Sequence, residues 1–175
     1  MVTDRIFIVG FIGSGTHEVG RALAAKLNRP MFSTEAVIEA SARMPLTEIY
    51  RKEGENSVRQ RERRALVSVA TGPPGVIVTG PSTFVDRGNR RTIQLSGVSV
   101  FIDASLEECL EGALERGLLR PDDEANERFT SLFELRRSQY EEADVLIEPL
   151  GRDAEQVADE ILQRLEDRVW TEKLA

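Results

Sequence analysis

The sequence predicts an α/β fold, a parallel sheet with helices on both faces, and three observations carry that prediction. Short apolar, β-branched runs alternate with longer segments of helical period. The runs are mostly uninterrupted by polar residues, as expected of strands buried on both faces. The first run, Ile6–Val9, feeds Gly10-Phe11-Ile12-Gly13-Ser14-Gly15 and then a helical segment. Strand, glycine-rich turn and helix N-terminus, in that order, lay out a phosphate-binding loop.

Taken in order, the strand candidates are Ile6–Val9, a short piece at Met31–Phe32, Val76–Thr79, Val98–Ile102 and Val145–Ile147. Val19, Leu23 and Leu27 mark the first helix stripe, and Val37 with Ile38 a second helix. Pro45 starts a third at a tolerated first-turn position. Asn56–Ala70 reads as a separate, arginine-rich helix, followed by helices at Leu106–Leu114 and Leu132–Tyr140. The last opens at Asp153 with Gln156 three residues on, a capping-box arrangement, and runs through Val157, Ile161 and Leu165. Parallel-sheet proteins bind ligands at the carboxyl ends of their strands. The loops after Val9, Phe32, Thr79, Ile102 and Ile147 are therefore the places to search.

At 175 residues the chain reads as one domain, 1–175, large enough for a real core. A net charge of -7 argues against nucleic acid or an anionic membrane surface as a general partner. No apolar run approaches membrane-spanning length, and no signal peptide is visible. The single cysteine, Cys109, rules out an internal disulfide framework and a cysteine-ligated zinc site. It suits a reducing cytoplasm and, between Leu106 and Leu110, reads as a small core residue.

Gly10 and Gly15 stand where a phosphate loop needs its glycines, but the next two residues are Thr16 and His17. The motif wants a lysine and a hydroxyl there, to bridge terminal phosphates and to hold Mg²⁺. Lys26 lies too far along the helix, about 15 Å at 1.5 Å per residue. Gly10, Gly13, Ser14 and Gly15 still form an anion-competent turn, because a helix N-terminus attracts anions whatever its side chains.

Further stretches carry a family resemblance. They are Arg29 to Glu39, Glu53 to Arg59, Val78-Thr79-Gly80, Arg120-Pro121, Arg136-x-x-x-Tyr140-x-x-Ala-Asp144 and Gly151-Arg152. Together with the glycine loop, and in this order, they make the chain resemble shikimate kinase from Arg5 to about Leu165. The resemblance implies a five-stranded parallel sheet of the P-loop, nucleoside-monophosphate-kinase-like type, with a lid at about 116–125. It also implies transfer of the ATP γ-phosphate to the 3-hydroxyl of shikimate with Mg²⁺, a step of aromatic amino-acid biosynthesis.

Carried over position by position, the family's lysine is Thr16 and its metal-holding hydroxyl residue is His17. Its D-x-D pair is Ser33 and Glu35, and its glycine triplet is Gly80-Pro81-Ser82, where Pro81 removes a backbone donor. The substrate half survives: Arg59 and Arg136 match arginines that grip the shikimate carboxylate, with Glu35 and Gly80 beside the substrate. Arg116 and Arg152 match positions flanking adenine, and Arg120 matches the lid arginine. Asp122 and Asp123 follow it and would repel a triphosphate.

These departures lead to a degenerate member, weakly active or inactive as a kinase. It would take a shikimate-like carboxylic acid, with an adenine nucleotide as a further candidate ligand and no assured cofactor or metal site. An active shikimate kinase using ATP and Mg²⁺ is the alternative. A non-catalytic scaffold for a protein partner is the second.

Overall fold

The structure is a computed structural model and describes residues 4–120 and 122–174. Its strands are β1 (Arg5–Gly10), β2 (Met31–Ser33), β3 (Gly75–Val78), β4 (Val98–Ile102) and β5 (Val145–Ile147). All pair in parallel, in the order β2-β3-β1-β4-β5. Central β1 pairs through Ile8 with Val78 on one side and Val100 on the other. The chain builds outward from β1 first toward β3 and β2, then toward β4 and β5. The crevice expected of such a reversal therefore opens at the carboxyl end of β1.

Seven helices cover the sheet among the described residues. They are α1 (Thr16–Leu27), α2 (Thr34–Ala42), α3 (Leu46–Ala70), α4 (Arg87–Ser96), α5 (Leu106–Glu115), α6 (Asp123–Tyr140) and α7 (Ala154–Leu174). Alternation along β1 divides the core in two. Ile6 and Ile8 pack with Val19 and Leu23 of α1 and Val157 and Ile161 of α7. Phe7 and Val9 face Leu66 of α3, Phe129, Phe133 and Tyr140 of α6. Each fully buried side chain of this size contributes about 1.5–3 kcal/mol relative to exposure. Surface ion pairs contribute much less, so the two apolar layers fix the sheet.

Asp144 adds a polar staple. Its Oδ2 accepts from the backbone N–H and the hydroxyl of buried Ser99 on β4, both at 2.9 Å. The end of the Tyr140–Asp144 motif thus positions β5 and lies outside the cleft.

All five strand candidates are present, with β3 starting at Gly75 and ending one residue before Thr79. Four helix expectations are corrected. The two helices read from Pro45 and from Asn56–Ala70 form one element, α3, bent at Gly54 (φ 80°, ψ 175°), a conformation that glycine tolerates. Pro45 caps it from outside rather than opening it. Helix α6 begins at Asp123, nine residues before Leu132, because Asp122 caps it by accepting from the Ala125 N–H at 2.7 Å. Helix α4 and the 3-10 turn Thr83–Val85 have no counterpart in the sequence reading. The buried stripe of α4 is Asn89, Arg90 and Ile93, so no apolar period marks it. The capping box of α7 is present: Asp153 and Gln156 exchange hydrogen bonds at 3.2 and 2.9 Å.

Candidate functional site

A cleft of about 670 Å³ opens at the carboxyl end of β1 and β3. One wall is the glycine loop with the first turn of α1. The opposite wall carries Glu35 of α2, Leu46, Tyr50 and Glu62 of α3, and Pro81 and Ser82 after β3. Arg116, Leu118, Leu132 and Arg136 close the remaining side. Sequence positions spread over most of the chain therefore meet in one concavity.

The loop keeps its turn for reasons internal to the fold. Gly13 has φ 81°, and a Cβ there would stand 2.1 Å from the Cys109 carbonyl oxygen of α5. No other residue fits. Cys109 itself is buried, and burial pushes its thiol up to about 12, so it is a core residue without reactive character. The Ser14 hydroxyl is buried and lacks a hydrogen-bond partner among the described residues. Thr16 lines the cleft with an uncharged side chain. His17 Nε2 lies 3.9 Å from Glu35 Oε2, so the two residues face each other across the cleft.

On the opposite wall, Ser33 caps α2, accepting from the Ala36 N–H at 3.3 Å. Buried Thr34 accepts from the Gly80 N–H at 3.1 Å, tying the start of α2 to the exit of β3. Gly80 sits against Glu35: a Cβ there would be 3.1 Å from Glu35 Oε1.

The arginines behave differently from one another. Arg136 lines the cleft, and no carboxylate pairs with it among the described residues. Glu142, six residues along the chain, pairs with Arg90 at 3.0 Å. The Arg136 guanidinium faces Tyr140, whose pKa burial raises and Arg136 pulls back. Tyr140 in turn donates to the Pro81 carbonyl and stacks on Phe101 at 5.2 Å. Arg59 does not line the cleft. Its guanidinium is held by Glu55 at 2.9 Å and Glu62 at 3.2 Å, and it reaches the cleft only through buried Glu62. Burial alone would lower the Arg59 pKa, but Glu62 and Glu55 outweigh it and raise it. Glu62 also accepts from the Ser82 hydroxyl at 2.5 Å. The sequence reading missed Glu62. Its i,i+3 spacing from Arg59 was the available clue.

Arg116 stands against the glycine loop, donating to the Gly13 carbonyl at 3.2 Å and pairing with Glu18 at 3.1 Å. Arg152 is outside the cleft, bound to Glu160 and to the Glu148 and Pro149 carbonyls at the start of α7. Arg120 is exposed and outside the cleft as well. Pro121, the other half of that motif, lies outside the described residues. Asp122 serves as the α6 cap, a local role for this acid.

Comparison with known proteins decides the family. A model of the family described as shikimate kinase matches residues 12–166. The chain belongs to the shikimate kinase family. It is 35% identical to the shikimate kinase of Ruegeria pomeroyi over 167 residues, 93% of this chain and 85% of that one. It is 34% identical to that of Symbiobacterium thermophilum, covering 94% of this chain and 97% of the relative. Among solved structures, the shikimate kinase of Acinetobacter baumannii in complex with shikimate superposes with a TM-score of 0.88. That match has 27% identity and covers 94% of each chain. The Aquifex aeolicus shikimate kinase gives a TM-score of 0.80 at 31% identity, covering 95% of this chain and 98% of that one. The cleft of this phosphotransferase-family chain is rich in charge. Three carboxylates (Glu18, Glu35, Glu62) line it against two guanidiniums (Arg116, Arg136), and Arg116 is already paired. No group of three His, Cys, Asp or Glu that could hold a metal ion by itself occurs among the described residues.

Proposed function

We propose that this chain, as one domain with a lid at about 116–125, binds a shikimate-like hydroxy carboxylic acid and transfers phosphate poorly or not at all. Arg136 carries the proposal: it is the cleft guanidinium with no carboxylate partner among the described residues. Glu35 at Gly80 and the Ser82–Glu62–Arg59 chain supply hydrogen-bonding groups for hydroxyls on the same wall. On the phosphate side Thr16, His17 and Ser33 replace the residues that would neutralise phosphate and hold the metal. Phosphoryl transfer rests on positioning and electrostatic stabilisation, and losing one such stabiliser typically costs about 10²–10³ in rate.

A second reading, an active shikimate kinase with an atypical loop, is favoured by the identity to curated shikimate kinases across nearly the whole chain. Calorimetric titration with shikimate tests the binding. Micromolar to millimolar affinity that weakens at least about tenfold in Arg136→Ala is expected, since truncating a charged hydrogen-bond partner costs about 1.5–3 kcal/mol. Absence of any heat with shikimate, quinate, ADP and ATP would overturn it in favour of a protein-binding scaffold.

A further inference from the structure

We propose that Glu18 is the residue that sets the anion preference of the glycine loop: its carboxylate, clasped by Arg116, takes the place of a bound phosphate group. Helix α1 begins at Thr16 behind Gly15, which offers no side-chain cap, so the amides of its first turn favour a nearby negative charge. Glu18 is the third residue of that turn. Its Oε2 lies 3.9 Å from where a Cβ on Gly15 would stand, which places the acid over the helix end. Arg116 grips it with two prongs, Nε to Oε1 at 3.3 Å and Nη2 to Oε2 at 3.1 Å. The third nitrogen donates to the Gly13 carbonyl at 3.2 Å, fastening the end of α5 to the loop.

A helix N-terminus and a guanidinium are elements that recognise phosphate, and here the guanidinium is turned toward a carboxylate of the same molecule at that helix end. The clasp therefore has two effects. It occupies the one arginine that stands at the loop, and it adds a fixed negative charge where a polyphosphate would bring several more. Lost lysine and metal contacts explain weak attraction, whereas Glu18 adds active exclusion. The inference goes beyond the carboxylate proposal, because Arg136 takes no part in the clasp.

The test is titration of the purified full chain with pyrophosphate, comparing the parent, Glu18→Gln, and Glu18→Gln combined with Arg116→Ala. Glu18→Gln is expected to bind pyrophosphate at least about tenfold more tightly than the parent, with the gain shrinking as salt rises. The double variant is expected to lose that gain, because the released Arg116 is what receives the anion. Equal or weaker binding by Glu18→Gln overturns the proposal, as does a gain that persists undiminished without Arg116. The Glu18 and Arg116 side chains are 46% and 37% exposed, so these replacements leave the core intact. Glu18→Thr gives the same comparison should the glutamine variant fail to fold. Shikimate titrated into the same samples tests the carboxylate proposal separately, so a chain without shikimate affinity still reports on the clasp.

Discussion

Ser82 shows how a single substitution is absorbed by its surroundings. Standing where the family has a glycine, it fills the cleft wall and gives its hydroxyl to the buried carboxylate of Glu62. Ser82→Ala would leave that carboxylate with Arg59 as its remaining partner, and a loss of about 1–3 kcal/mol is expected in urea unfolding. A variant as stable as the parent would mean that Glu62 finds another donor. Individual residues were legible in the sequence to different degrees. Arg136 and Glu35, each inside a longer in-register stretch, both line the cleft. The neutralisation of Arg59 and the capture of Arg116 were not legible. The second joins residues 98 positions apart, and no local pattern reports such a contact. Asp122 has a role that is local, capping α6, beside the repulsion of a triphosphate expected of it from the sequence.

Elements with apolar inward faces were easy to read and those with polar inward faces were not. The strands announced themselves through uninterrupted apolar runs, and α7 through its cap and stripe. Helix α4 was invisible because its inward face is Asn89, Arg90 and Ile93. Those polar groups have a purpose: Asn89 donates to the Thr83 carbonyl at 3.0 Å, and Arg90 to the Phe84 and Val85 carbonyls at 3.0 and 2.7 Å. They fix the 3-10 turn that follows Pro81 and Ser82, so α4 positions a cleft wall without entering it. Asp86 caps α4, accepting from the Asn89 N–H at 2.9 Å, and this bond, with help from Arg63, holds its carboxyl below the ordinary value of 3.8. A depressed carboxylate stabilises the fold above its unfolded pKa, and the contribution is lost as pH falls through the lower folded value. Asp86→Ala is therefore expected to cost about 0.5–2 kcal/mol at pH 7, as cap removal generally does. The difference from the parent should shrink as pH falls below the unfolded value and vanish below the lower folded one. Thermal melts at pH 7 and in acid check this, and a pH-independent difference would rule out the charged cap as its source.

At the scale of the molecule, fold and ligand chemistry separate. The fold follows the family closely, with a TM-score of 0.88 to the Acinetobacter baumannii shikimate kinase. The fold tolerates this because the glycine loop is kept by packing against α5, independent of any nucleotide. Changes in charge around that loop leave the scaffold untouched and act on what it can hold. With a net charge of -7, the chain places three carboxylates in its cleft beside Arg136, the cleft guanidinium without a carboxylate partner among the described residues. The most direct measurement is steady-state turnover of the purified chain with ATP, Mg²⁺ and shikimate. A turnover below about 0.01 s⁻¹ is expected, since several stabilisers worth about 10²–10³ each are absent. A rate in the ordinary kinase range of about 1–100 s⁻¹, abolished by Arg136→Ala, would contradict it and make this chain an active shikimate kinase.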